Sequence, residues 1–215
     1  MITDGLTPVG VLLLLGLVGG TLALGIGVVA ALLMDQGIWV KRFVLLGAAG
    51  YALYAVLLLA HSLTSRTRVL ALNQAKHICE MDCHSEYSVI AVRTAKQIAG
   101  RTATGEFYVV TVRVQFDSAT IGPHRGMGPL EIGPRAVYVV DRSGREYPLE
   151  PAGAADSLRR SIVPGASYTT DLVFDLPNGV AGPELFIGAA SGAPDWILIG
   201  SENSLFHKKT LFALS

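Results

Sequence analysis

The chain has 215 residues, and its 17 Lys and Arg residues balance its 17 Asp and Glu residues, while 51% of all residues are hydrophobic. From residue 63 onward the balance persists, with 15 basic and 15 acidic residues. Without a basic excess to neutralise phosphates, nucleic acid is not an expected partner. The length accommodates a membrane hairpin and one further domain of about 150 residues.

Two uncharged apolar runs occupy most of residues 1–62, and we interpret them as transmembrane helices at about 9–34 and 40–62. Val9–Met34 would measure roughly 39 Å as a helix, which exceeds the roughly 30 Å of bilayer hydrocarbon. Phe43–Ala60 would measure roughly 27 Å and needs its flanking residues to complete the span. The tail before the first run carries Asp4 and no basic residue, which argues against a cleaved signal peptide.

The charges beside the two runs predict the orientation. Lys41 and Arg42 between the runs favour a cytoplasmic loop, whereas Arg66, Arg68 and Lys76 after the second run favour the opposite arrangement. Because the N-terminal tail carries no basic residue, we expect both termini outside. The chain is then a two-pass protein of the inner (cytoplasmic) membrane with its β-domain on the periplasmic or extracellular side.

Small residues recur along the first run at helical spacings of 4, 3, 4 and 3. Such a seam allows two helix backbones to approach closely where lipid offers no hydrophobic force for association. It packs either on the second span or on another integral membrane protein. The seam comprises Gly16, Gly20, Ala23, Gly27 and Ala30.

Residues 63–86 are predicted to form a neck, and residues 87–215 a β-domain. In Tyr108–Phe116 and Tyr168–Leu176, apolar and polar residues alternate with the period of a strand that has one buried face. Arg142–Gly144 is typical of a hairpin turn. We predict an antiparallel sandwich of about seven to eight strands. The other predicted strands are Tyr87–Gln97, Ala136–Asp141, Arg145–Leu149, Glu184–Gly188, Trp196–Ile199 and Thr210–Leu214.

Several motifs of this region resemble bacterial extracytoplasmic immunoglobulin-like domains of unknown function. They are Gly105–Phe107 before a long alternating strand, the hairpin Asp141–Gly144, the turn Val163–Gly165, and a strand that ends in Phe174–Pro177. The resemblance spans roughly Ser88–Leu214. It implies an immunoglobulin-like sandwich and no catalytic residue, because such motifs specify a fold rather than an activity.

The layout is also loosely similar to the second subunit of cytochrome oxidases, which carries two N-terminal spans, an external β-sandwich and a copper site. Cys79 and Cys83 have the Cys-x-x-x-Cys spacing of that copper loop. However, the family's histidine four residues after the second cysteine is Tyr87 here. The cysteines also precede the sandwich rather than following its strands, so the match to the copper site is incomplete.

The segment that holds Cys79, Cys83 and His84 has three competing interpretations. A disulfide suits an oxidising compartment, but an extended chain would separate the two Cα atoms by roughly 13 Å, so the segment must turn. A c-type haem attachment would be a variant with three residues between the cysteines instead of two. A copper or zinc site would use the three side chains as ligands. Candidates for an additional ligand are His77, His124 and His207.

Residues 122–135 contain four glycines and three prolines, which predicts a long loop. Long loops often carry binding residues, and His124, Arg125 and Met127 are candidates for contact with a partner. A strand crossover that covers the sheet edge is the alternative.

No nucleophile elbow or paired acidic motif occurs in the sequence, so an enzyme is not expected. The leading hypothesis is a membrane-anchored accessory or scaffold subunit that binds no cofactor and docks on a larger membrane complex, respiratory or photosynthetic. Its partners would be the lipid bilayer and an integral membrane protein. The alternative hypothesis is an electron-transfer or metal-carrying subunit that uses Cys79, Cys83 and His84.

Overall fold

A computed structural model describes residues 7–78, 85–120, 126–132, 136–150, 155–188 and 194–215. Within these ranges the chain divides into two compact units. The hairpin unit comprises residues 7–65 together with 194–207, and the β unit comprises the described residues of 66–188 together with 208–215. The predicted β-domain was continuous from residue 87 to 215, whereas residues 194–207 belong to the hairpin unit.

Two long apolar helices form most of the hairpin unit, in agreement with the sequence prediction. Helix α1 covers Thr7–Leu33 and helix α2 covers Gly37–Thr64. Their candidate membrane windows have mean hydropathies of 2.4 and 2.2, and only 6% of each window is buried. A core helix of a soluble domain would be mostly covered by protein, so this exposure fits a membrane anchor.

The two helices contact each other at several positions along their length. A β-carbon at Gly27 would lie 3.1 Å from the Phe43 ring, and one at Gly47 would lie 3.5 Å from Leu24. Further along, the hydroxyl groups of Thr21 and Tyr51 are 2.8 Å apart and share a hydrogen bond. This contact also satisfies two polar groups that lie within the apolar run.

The β unit contains two sheets and a small ribbon. One sheet has four strands in the order β2-β3-β4-β9, the other has five in the order β1-β11-β10-β6-β7, and β5 pairs with β8. The strands are β1 Arg68–Leu70, β2 Ala75–Ile78, β3 Ser85–Ile98, β4 Arg101–Phe116, β5 Leu130–Ile132, β6 Ala136–Val140, β7 Glu146–Pro148, β8 Arg160–Ile162, β9 Ser167–Leu176, β10 Glu184–Gly188 and β11 Thr210–Ala213.

Apolar side chains from both sheets form one core. Val110, Val112 and Val114 alternate along β4 and are fully buried, as the period-2 pattern predicted. Leu172 and Phe174 do the same along β9, which pairs with β4. The five-stranded sheet contributes Val139, Leu185, Ile187 and Phe212 to the same cluster. This shared core is that of a sandwich.

The predicted hairpin at residues 136–149 is present as β6 and β7. The Asp141 carboxylate accepts hydrogen bonds from the backbone N–H groups of Ser143 and Arg145 and from the Ser143 hydroxyl. Gly144 follows with a φ of 84°, a left-handed conformation that suits glycine. The hydrogen bond from the Ser143 side chain is the largest of the effects that lower the pKa of Asp141 to about 2.

The structure departs from the strand predictions in five places. Strands β1 and β2 lie within residues 63–86, which were predicted as a neck, and β5 lies within the predicted loop 122–135. Strand β8, Arg160–Ile162, was not predicted. Trp196–Ile199 was predicted as a strand, but Asp195–Ile197 is a 3-10 turn. The described residues contain eleven strands rather than seven or eight, because short strands of three or four residues show no periodicity in the sequence. One pair, β1 with β11, is parallel.

Candidate functional site

The cysteine segment and part of the predicted binding loop lie outside the described residues. This applies to Cys79, Cys83 and His84, and also to His124 and Arg125. Met127, within the same loop, is described and is 71% exposed. Within the described residues, the candidate site lies beside the cysteine segment and consists of His77, Glu86 and Asp117.

His77 lies two residues before the cysteine segment, at the penultimate position of β2. The antiparallel register of β2 and β3 places it directly opposite Glu86, two residues after the segment. Asp117 follows the last residue of β4, which is the next strand of the same sheet. Directly opposed residues share one face of a sheet, so the fold brings together side chains from three strand ends.

The His77 ring is held between two carboxylates. Its Nε2 atom lies 3.5 Å from Glu86 Oε2, and its Nδ1 atom lies 4.0 Å from Asp117 Oδ2. The His77 side chain is only 3% exposed, against 21% for Glu86 and 13% for Asp117. His77 Nδ1 is buried and has no hydrogen-bond partner among the described residues. Burying an imidazole nitrogen without a hydrogen bond costs free energy, because no protein group replaces the water that solvates it in the unfolded chain.

Asp117 is oriented by the chain that follows it. Its Oδ1 atom accepts a hydrogen bond of 2.9 Å from the backbone N–H of Ala119, in the 3-10 turn Ser118–Thr120. This leaves Oδ2 directed at the histidine. A carboxylate held in this way can accept a hydrogen bond from an imidazole N–H group or share a cation with the ring.

His77, Glu86 and Asp117 form a group of the ligand types that bind divalent metals. Their candidate ligand atoms lie within 4.8 Å of one another. Imidazole with carboxylates suits zinc and related transition metals, and ligands around tetrahedral zinc lie roughly 3.4 Å apart. Glu86 Oε2 already lies at about this distance from His77 Nε2, so with Nε2 as the ligand atom only Asp117 would have to move closer. The sequence identified His77 as a candidate ligand but missed both acidic residues, because only the strand register brings them together.

Lys76, next to His77, occupies the opposite face of β2 and is 2% exposed. Its Nζ atom donates hydrogen bonds of 2.9 Å to the Ile187 carbonyl and 3.1 Å to the Thr210 carbonyl. It also lies 4.6 Å from the centre of the Phe186 ring. These contacts tie β2 to the five-stranded sheet, so the strand that carries His77 is held on both faces. From the sequence, Lys76 was notable only as one of the basic residues that predict the orientation in the membrane.

His207, the third candidate ligand, lies in the hairpin unit. Its ring stacks on His61 with a centroid distance of 5.4 Å and an interplanar angle of 15°. His61 is in the last turn of α2. The prediction that His207 serves as a ligand beside the cysteines thus gains no support from its observed contact, which belongs to the membrane hairpin.

The predicted small-residue seam of α1 is used in part within the hairpin. Gly27 contacts Phe43, but a β-carbon at Gly16 or Gly20 would meet no atom within 4 Å among the described residues. The buried or half-buried positions of α1 lie mainly on an adjacent face that includes Leu14, Leu17 and Leu24. Part of the seam is therefore left open on the surface of the hairpin.

The chain matches no protein family model and no curated protein sequence. Among solved structures it is similar to the secreted protein MPT63 from Mycobacterium tuberculosis, with a TM-score of 0.46 and 10% identity over 70% of this chain and 99% of that one. It is also similar to the YjhA protein from Bacillus subtilis, with a TM-score of 0.42 and 12% identity over 68% of this chain and 100% of that one.

Proposed function

We propose that this chain is a non-enzymatic accessory subunit of a larger membrane complex, respiratory or photosynthetic. Helices α1 and α2 anchor it in the cytoplasmic membrane, and its immunoglobulin-like sandwich lies on the periplasmic or extracellular side. The exposed apolar surface of both helices supports the anchor. The open part of the α1 seam is the observation that carries the docking proposal.

Gly16 and Gly20 are one helical turn apart, so they lie on the same side of α1. Because neither contacts α2, their side of the helix is available to a second helix at short distance. Without a hydrophobic driving force in lipid, close backbone approach at such residues is a principal source of helix association. The predicted partner is therefore an integral membrane protein that presents a helix with a small-residue or flat face.

A groove of about 490 Å³ lies further along α1 than Gly16 and Gly20 and on a different side of the helix. Gly25, which lines the groove, is nine residues from Gly16 and therefore about 180° around the helix axis from it. Gly25 lies between larger side chains that include Leu22, Ile26 and Leu33. Side chains of a partner helix fill such grooves when two helices pack. The groove is therefore a second side of α1 on which another helix can pack.

The experiment compares complexes extracted from native membranes with a mild detergent and separated by size. We expect the wild-type chain to migrate with a larger assembly. The double variant Gly16→Leu/Gly20→Leu, which places branched side chains on the open face, should migrate as a small species. Gly50→Leu is the matched control, because a β-carbon at this α2 position also meets no atom within 4 Å. Migration of the wild type as a lone monomer would contradict the proposal.

A second candidate function is that of an electron-transfer or metal-carrying subunit. The observation that favours it is the buried imidazole of His77 between two carboxylates, on the strands that flank Cys79 and Cys83. A site that combined these five side chains would offer thiolate, imidazole and carboxylate ligands. Zinc or copper would suit it, whereas a c-type haem would attach covalently to the cysteines.

This candidate is tested on the purified full chain by its visible absorbance and its metal content. A metal-carrying subunit should hold zinc or copper, and a haem protein should show a Soret band. The isosteric variants Glu86→Gln and Asp117→Asn should lower zinc affinity measured by competition with a chelating dye. Asp171→Asn, an exposed carboxylate of the same sheet, should leave the affinity unchanged. A colourless protein that fails to take up metal would exclude this function.

A further inference from the structure

The connection between β10 and β11 is far longer than its geometry requires. The two strands are antiparallel neighbours, yet 21 residues, 189–209, separate the end of one from the start of the other. Hairpin connections usually have two to five residues, and longer ones commonly have a binding role. Residues 194–207 of this connection, which we call the return segment, belong to the hairpin unit.

The return segment contacts both transmembrane helices. The Tyr54 hydroxyl of α2 donates a hydrogen bond of 2.8 Å to the Ile197 carbonyl. At α1 the backbone of Ile199 lies so close to Gly10 that a β-carbon there would be 2.9 Å from the Ile199 carbonyl carbon. The stacked rings of His61 and His207 form the third contact.

The helical rise places these contacts relative to the bilayer. His61 lies 19 residues after Arg42, or roughly 28 Å, which is about one hydrocarbon thickness. With Arg42 at the loop-side boundary, His61 is at the opposite boundary. Tyr54 lies 7 residues, or roughly 10 Å, before His61 and therefore within the hydrocarbon layer. Because the tyrosine side chain spans only part of this distance, the Ile197 carbonyl lies at the hydrocarbon boundary or below it.

Three large apolar side chains of the return segment are uncovered. Trp196 is 48% exposed, Leu205 is 42% exposed and Phe206 is 65% exposed. A hydrogen bond of 3.0 Å from the Leu205 N–H to the Trp196 carbonyl holds the two ends of the segment together. Phe206 has a φ of 64°, a conformation that is strained for a residue other than glycine. The two ends of the segment, which carry these three side chains, are thus held close together, and Phe206 retains a strained conformation.

About half of the backbone N–H groups of the return segment donate hydrogen bonds within the segment. Successive turns join Ile197 to Pro194, Leu198 to Asp195, Ser201 to Leu198, Ser204 to Ser201, and His207 to Ser204. The Ser204 hydroxyl also donates to the Ser201 carbonyl. Irregular backbone at membrane depth has to be covered by protein or face water, and these internal bonds leave fewer polar groups that need such partners.

We infer that the return segment is a third membrane attachment, which inserts Trp196, Leu205 and Phe206 into the interfacial region of the outer leaflet beside the hairpin. The partner is the phospholipid bilayer itself. Tryptophan is enriched at this depth because its ring is apolar and its N–H group is polar. Asp195 and Glu202 belong to the same segment, and their charges keep it near the hydrocarbon boundary rather than deeper in the hydrocarbon.

The test uses the two tryptophans of the chain, Trp39 and Trp196. The variant Trp39→Phe leaves Trp196 as the sole tryptophan in the full-length protein, reconstituted into phosphatidylcholine vesicles. Its fluorescence is measured with brominated lipids, which carry the quencher at a shallow or a deep acyl position, and with iodide in the water. We expect blue-shifted emission, stronger quenching by shallow than by deep bromines, and weak quenching by iodide.

Two other results would overturn the inference. Strong iodide quenching with little effect of brominated lipids would place Trp196 in water. Resistance to both quenchers would place it against protein, for example a second copy of the chain. The complementary variant Trp196→Phe calibrates the method, because the remaining Trp39 lies in the first turn of α2, at the loop end of the hairpin.

Discussion

The contact between Tyr54 and the return segment allows a quantitative prediction. Tyr54→Phe removes one hydroxyl group and with it the hydrogen bond to the Ile197 carbonyl. Hydrogen bonds within membrane proteins contribute about 0.6 kcal/mol on average and about 1.7 kcal/mol at most. Since about 1.4 kcal/mol corresponds to a tenfold change in equilibrium constant, detachment of the segment should become about 3-fold to about 18-fold more favourable.

The assay is amide hydrogen exchange, followed by mass spectrometry of the full chain in lipid nanodiscs. Peptides from residues 194–207 should exchange about 3 to 18 times faster in Tyr54→Phe, because local opening governs their protection. Peptides from β4 should be unchanged. Tyr51→Phe is the matched control, since its hydroxyl group bonds to Thr21 inside the hairpin. An unchanged exchange rate in Tyr54→Phe, or an equal acceleration in Tyr51→Phe, would refute the assignment of this contact.

Three further predictions concern the β unit and the cysteine segment. Gly105→Ala should lower the free energy of unfolding by about 1–3 kcal/mol in denaturant titrations. The added carbon would lie 2.8 Å from the Pro177 Cα atom, and backbone atoms cannot move aside as a flexible side chain could. An unchanged midpoint of unfolding would contradict this prediction. The pKa of Asp141 is lowered to about 2, so its contribution to stability is present above the ordinary pKa near 4 and is lost as the pH falls towards 2. Asp141→Asn should therefore be less stable at pH 7 and lose less stability between pH 4 and 2, as thermal unfolding at several pH values can show. If Cys79 and Cys83 form a disulfide outside the cell, they should react with a thiol reagent only after reduction, and full labelling without reductant would exclude the bridge. Replacing both with Ser should remove a restraint on the neck that stabilises it by roughly 2 kcal/mol, and the sandwich should stay folded.

The helices and the long strands were predictable because their signals are local. An uncharged run of sufficient length has few alternatives to a membrane helix, and the observed α1 and α2 agree with the predicted spans to within three residues at each end. The alternation in Tyr108–Phe116 likewise marked β4, although the strand begins at Arg101, where the pattern is weaker. The short strands β1, β2 and β5 carry no such signal.

Of the three residues in the candidate metal site, the sequence predicted only His77. His77 and the nearby cysteines are noticeable because their side chains are rare and reactive. Glu86 and Asp117 are ordinary acidic residues in sequence, and 40 positions separate Asp117 from His77. Only the pairing of β2 with β3, and of β3 with β4, places the three together.

By itself the sequence determined the two-span anchor, the β character of the domain and the faces of its longest strands, because each follows from hydrophobicity repeated over neighbouring residues. Tertiary structure decided whether Trp196–Ile199 forms a strand or a turn. Its apolar residues suggested a strand, yet Tyr54 and Gly10 hold this stretch as a turn against the membrane helices. The reason is physical: burial against a distant element outweighs local strand propensity, and no local pattern records which element will provide that burial.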